Sequence, residues 1–124
     1  MLSPYGVAQK ALAALDEKQA RDIKVMKTDK LTILADYFLI CTATSTTHIK
    51  TLADEVEKVL AESGEPALRR EGYRGGGWVL IDFGCVIIHL FLAEQREFYA
   101  LERLWSDAES IDAETMLEHA EVQG

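Results

Sequence analysis

Two apolar runs, Trp78 to Asp82 and Cys85 to Leu92, stand on either side of Phe83-Gly84. Runs of strand length around a short glycine-containing link form a β-hairpin, because glycine supplies the positive φ that a tight turn demands. In the register centred on that pair, Trp78 faces His89, Leu80 faces Ile87 and Asp82 faces Cys85. Side chains alternate between the two faces of a strand, so Val79, Ile81, Val86 and Ile88 fall on one side and Trp78, Leu80, Asp82 and His89 on the other. The purely aliphatic face belongs under helices, and the mixed face belongs at a partly open surface. Tryptophan is large and amphipathic, the type in which interfaces concentrate binding energy. Two readings of that face stay open: Trp78 is an exposed anchor, or the C-terminal segment folds over it. His89 is either a packed, hydrogen-bonded residue or part of the open surface.

The rest of the chain supplies the helices and the remaining strands. Ser3-Pro4 reads as an N-cap followed by proline at the first helical position, and Val7, Ala8, Ala11, Leu12 and Leu15 then form one apolar stripe to about Glu17. Asp22 to Lys27 alternates around Ile23 and Val25, and Tyr37 to Ala43 is a continuous apolar run that predicts a strand buried on both sides. The Thr/Ser cluster at 42–47 offers caps for a helix carrying Ile49, Leu52, Ala53, Val56 and Leu60, which ends at Gly64 with Pro66 just beyond. A short strand at Ala67 to Arg70 would complete a crossover suited to a parallel connection. Glu71 to Gly77 reads as a glycine-rich loop, and Phe98 to Trp105 as a short amphipathic helix that folds back on the domain.

These elements predict one α/β (α+β) domain, a mixed sheet of about five strands with helices mainly on one face. A chain of 124 residues can bury roughly two thirds of its unfolded surface, enough for a core without disulfides or metal. Cys41 and Cys85 lie within apolar runs and read as buried free thiols. No apolar stretch approaches the roughly 18 residues of a membrane span and no leader-like segment opens the chain, so a soluble, cytoplasmic protein is expected.

The net charge of −8 is unevenly placed. Residues 1–93 carry 11 basic and 12 acidic groups, whereas residues 94–124 hold Arg96 and Arg103 against nine carboxylates, a net of −7. Such a balance disfavours nucleic acid or anionic membranes as partners, since both are bound through neutralised phosphates, and suits a basic partner. The segment 108–124 is expected to be an acidic extension of a domain spanning 1–107, frayed or docked on a second chain. Deleting residues 110–124 would then alter solubility or association rate with little loss of affinity.

Little in the chain points to catalysis. His48, His89 and His119 lack metal-ligand spacing. Asp82-Phe83-Gly84 repeats the letters of a kinase magnesium motif without a catalytic loop or phosphate loop, and no helix follows the glycines at 72–77. A nucleotidyltransferase would hold two metals with closely spaced carboxylates on adjacent strands, but Asp36 and Asp82 each stand alone among apolar residues.

Taken together, the motifs resemble the Iojap/RsfS family of ribosomal silencing factors. The matching pieces, in order, are 35–45 (ADYFLICTATS), Ala53-Asp54-Glu55-Val56, Glu71-Gly72, 78–84 (WVLIDFG), Val86-Ile87-Ile88-His89 and 98–105 (FYALERLW). The resemblance covers about Ala8 to Asp107. The chain departs from the family pattern at Cys85, where an acidic residue is usual, and at Ala43, where glycine is usual. The resemblance implies a nucleotidyltransferase-like fold without catalytic acids, no enzyme activity, no cofactor and no metal. It further implies binding to the large ribosomal subunit through its fourteenth ribosomal protein, which blocks subunit joining and lowers translation when nutrients are scarce. The expected partner surface is Trp78, Leu80, Asp82 and His89 with Asp36 on the neighbouring strand, and a homodimer is plausible from the apolar content of that face. The competing reading is a small nucleotidyltransferase-like enzyme.

Overall fold

The computed structural model describes residues 2–31, 35–72 and 76–123, without the side chains of Leu104, Trp105 and residues 119–123. Its elements are α1 (Pro4–Glu17), β1 (Arg21–Lys27), β2 (Tyr37–Ala43), α2 (Thr46–Glu62), β3 (Arg69–Gly72), β4 (Trp78–Asp82), β5 (Val86–Leu92), α3 (Ala93–Tyr99), a 3-10 helix (Leu101–Trp105), β6 (Glu109–Ile111) and α4 (Ala113–Gln123). The strands form one sheet in the order β3-β4-β5-β2-β1-β6. β2 and β5 run parallel, and the other neighbours are antiparallel.

The helices start and stop where local chemistry dictates. Ser3 accepts the Gly6 N–H at 3.0 Å to cap α1, whose stripe of Val7, Ala8, Ala11, Leu12 and Leu15 is buried. Ser45 caps α2 through the His48 N–H, also at 3.0 Å. At the other end Gly64 adopts φ +84°, and the N–H groups of Gly64 and Glu65 return to the carbonyls of Ala61 and Leu60. This is the left-handed helix stop that glycine takes without a Cβ penalty.

β2 lies at the heart of the sheet and all seven of its residues are buried, as its unbroken apolar run predicts. One face of the sheet meets α1, α2 and α4. There Leu39, Cys41, Val79, Ile81, Val86, Ile88 and Leu90 pack against Leu12, Leu52, Val56 and Met116. The opposite face carries a smaller cluster of Met26, Phe38, Ile40 and Phe91, with Trp78, Ile87, Leu101 and Ala108 at its margin. The aliphatic face of the hairpin is therefore the helix-covered one.

Five expectations are corrected. The hairpin register pairs Trp78 with Phe91, Leu80 with His89 and Asp82 with Ile87, two residues from the expected pairing. The turn is centred on Gly84-Cys85, with the Phe83 N–H donating to the Val86 carbonyl and Gly84 at φ +85°. Moving the turn by one residue moves the register by two, so every side chain keeps its face. The edge strand β3 begins at Arg69 and takes up Glu71-Gly72 from the expected loop, while Tyr73 to Gly75 lie outside the described residues. β3 runs parallel to β2, as the expected crossover requires, with β4 and β5 between them. The helix expected at Phe98–Trp105 is two elements, α3 and the 3-10 helix, divided at Ala100 with φ +47°.

The fifth correction concerns the acidic C-terminal stretch, which docks on its own chain. Glu109–Ile111 pairs with β1 as a sixth strand. Met116 is fully buried, and its carbonyl accepts from the Gln9 side chain of α1 at 3.3 Å. Of the two thiols, Cys41 is buried and Cys85 is partly exposed at the turn. No helix among the described residues is long and apolar enough to cross a membrane.

Candidate functional site

On the face turned away from α1 and α2, β4 presents Trp78, Leu80 and Asp82 in succession, each partly exposed. The strand period of two places them along one line. Beneath them lies His89, only 3% exposed. The Trp78 indole Nε1–H donates to His89 Nδ1 at 2.8 Å, so Nδ1 carries no proton and the hydrogen of the neutral ring is on Nε2. Burial lowers the imidazole from 6.5 to about 4, which keeps that acceptor available. The Phe38 ring stands edge-on to His89 at 4.7 Å, and Phe91 stacks on it at 5.9 Å. His89 therefore offers no contact surface of its own; it fixes the indole above it.

Asp82 serves the turn. Its Oδ1 accepts the Gly84 N–H at 2.7 Å and its Oδ2 accepts from Arg69 Nε at 3.2 Å. Arg69 also reaches Glu71 at 2.7 Å, giving β3 and β4 a surface ion network that holds register more than it adds stability. Asp36 precedes β2 and donates its N–H to the Cys85 carbonyl at 2.8 Å, placing it beside the same turn. The expected residues thus resolve into a line along β4, a buried support, and an acid at the turn end of the sheet.

The hairpin pattern does not reveal the aromatic neighbours contributed from beyond it. Tyr99, at the end of α3, lies 4.6 Å from Trp78 between ring centres, and Phe98 meets Tyr99 edge-on at 5.1 Å. Trp78 also stacks on Phe91 at 5.1 Å. Tyr99 covers Trp78 on one side while the indole stays partly exposed. Tyr99 is 46% and Phe98 81% exposed.

Arg96 anchors this segment. Its Nε donates to Glu102 at 2.7 Å, and its Nη1 donates to the Asp22 carbonyl at 2.6 Å and to Thr42 Oγ1 at 2.8 Å. Lys24 reaches the second Glu102 oxygen at 2.9 Å. Arg96, then Lys24, hold the Glu102 carboxyl down at about 2. These groups line an open cleft of about 700 Å³ with Glu97 and Arg103. The Asp22 carbonyl is aimed at Arg96 from a backbone at φ +48°, where β1 is irregular between Arg21 and Lys24. Nothing local in the sequence signals this network, because Arg96 finds its partners 54 and 74 residues away.

Burial pushes Cys41 up to about 12 and raises Cys85 as well, so neither is poised as a thiolate. Among the described residues, no group of three or more His, Cys, Asp or Glu could hold a metal ion.

A family model for ribosomal silencing factors during starvation, RsfS, matches residues 3–124. The chain is 36% identical over 116 residues to the ribosomal silencing factor RsfS of Halalkalibacterium halodurans, covering 94% of this chain and 99% of that one. It is 36% identical over 98 residues to the mouse mitochondrial assembly of ribosomal large subunit protein 1, covering 77% of this chain and 43% of the relative. A crystal structure of a Chromobacterium violaceum protein superposes with a TM-score of 0.82 at 33% identity, over 85% of this chain and 88% of that one. With the sheet and its aromatic face in place, the match over nearly the whole chain places this protein in the ribosomal silencing factor (RsfS) family.

Proposed function

We propose that the protein binds the large ribosomal subunit through its fourteenth ribosomal protein, in the cytoplasm, and thereby keeps the small subunit from joining when nutrients are limiting. The observation that carries this reading is the indole of Trp78, held by His89 on the sheet face opposite α1 and α2 and still partly exposed. Leu80 and Asp82 extend the contact along β4, and Asp36 closes it at the turn. The name of the mouse relative, a large-subunit assembly protein, supports the choice of subunit. A folded domain on the joining surface excludes the second subunit by volume, so repression follows occupancy, which grows with free protein over its dissociation constant. The same apolar face suits self-association into a homodimer.

Co-sedimentation with large subunits through sucrose tests the assignment. Truncating a central aromatic anchor costs about 2 kcal/mol or more, roughly thirtyfold in affinity. Trp78→Ala is expected to lose binding to that extent and to stop depleting joined ribosomes from gradient profiles. A Trp78→Ala protein that is folded by circular dichroism and binds large subunits like the unmodified chain would overturn this surface.

A further inference from the structure

We propose that the partner surface continues from Trp78 across Tyr99 to Phe98, that Arg96 is the residue that positions it, and that it meets a basic protein surface. This rests on the ribosome-binding reading above and adds to it a second element, α3, with a device that holds it.

Three observations carry the extension. The rings of Trp78, Tyr99 and Phe98 form an unbroken series at 4.6 and 5.1 Å, so the anchor does not end at the edge of the sheet. Phe98 is 81% exposed, a large apolar side chain that leaves most of its surface to solvent. Finally, α3 has no buried residue and meets the sheet through the half-exposed Tyr99 ring against Trp78 and Phe91. Its polar anchor is the Arg96 guanidinium, itself 11% exposed, tying it to β1, β2 and Glu102 of the following 3-10 helix. The Ala100 N–H returns to the Arg96 carbonyl at 2.9 Å across the left-handed bend, so the residue that anchors α3 also ends it, just after Tyr99.

The charge around the rings selects the occupant. Exposed aromatics can stack on nucleic-acid bases, but such sites are lined by cations that track phosphates. Here Glu94 stands one helical turn before Phe98 and Glu97 directly precedes it, both exposed, while Arg96 of the same helix is engaged by Glu102. Carboxylates beside an apolar ridge fit a basic protein surface with an apolar centre.

The test is a binding titration of the full chain with purified large subunits, using Trp78→Ala, Phe98→Ala, Arg96→Gln and Glu94→Lys. Phe98→Ala is expected to weaken binding roughly tenfold with an unchanged unfolding midpoint, since its ring is exposed. Arg96→Gln is expected to weaken binding and to move the Trp78 indole proton resonance, because Tyr99 leaves its place. A merely stabilising arginine would lower the unfolding midpoint and leave that resonance in position, which would overturn its positioning role. Glu94→Lys is expected to weaken binding. If it tightens binding, the ridge meets ribosomal RNA and the proposed occupant is wrong. If Trp78→Ala loses affinity while Phe98→Ala keeps it, the extension fails and the β4 surface stands. If both keep it, the β4 surface fails and the extension with it.

Discussion

The buried histidine under Trp78 makes stability depend on pH between about 6.5 and 4. His89 titrates at about 4 in the folded chain against 6.5 for a free imidazole, because burial disfavours its charged form. The unfolded chain therefore takes up this proton first as the pH falls. The stability linked to His89 is complete above 6.5 and is lost as pH descends towards 4. Linkage puts the loss at about 0.8 kcal/mol at pH 6, about 2 at pH 5 and about 3 at pH 4. Other groups titrate over the same interval, so a non-titrating reference is needed. His89→Gln keeps an acceptor within reach of the Trp78 indole and carries no proton of its own to gain. Urea unfolding of both proteins at pH 7.5, 6 and 5 should show the unmodified chain losing about 2 kcal/mol relative to His89→Gln between the first and last conditions. Parallel stability curves for the two proteins would show that His89 is protonated in the folded state as readily as in the unfolded one, and the neutral, indole-accepting ring would have to be abandoned.

Two further expectations concern stability. Met116→Ala empties a fully buried position between α4 and α1 and should cost about 3 kcal/mol, lowering the thermal midpoint by roughly 10 °C, whereas exposed Glu118→Ala on the same helix should leave it in place. Gly84→Ala forces a Cβ into a φ of +85° with the Leu68 methyl at 3.3 Å, and should lower stability by about 1–2 kcal/mol in urea titrations.

The elements most legible in the sequence are those whose pattern is complete within themselves. The stripe and caps of α2 define it to within a residue or two, and the apolar run 37–43 defines β2 residue for residue. The hairpin faces follow from parity alone, which is why Val79 and Ile81 are in the core even though the register differs by two. Elements that depend on distant partners are not legible. β6 is three residues, Glu109-Ser110-Ile111, whose only reason to extend is the free edge of β1. α3 opens with Ala93 and the polar run Glu94-Gln95-Arg96-Glu97, whose placement depends on Asp22, Thr42 and Glu102 around Arg96. For the surface, Trp78, Leu80 and Asp82 are found by alternation. The burial of His89 depends on Phe91 two places along its own strand and on Phe38, which only the parallel pairing of β2 with β5 brings beside it.

The seating of α4 on α1 carries a consequence for how the molecule is made. Gln9 and the carbonyl it bonds are 107 positions apart, and the central parallel pair joins Tyr37 to Val86. Contacts of such separation demand loop closure before they reward it, which slows folding. During synthesis the apolar stripe of α1 emerges first and waits, without Met116, for nearly the whole chain to follow. The fold therefore closes late in its own translation, and a product cut short before residue 109 would lack an edge strand and the cover over its first helix.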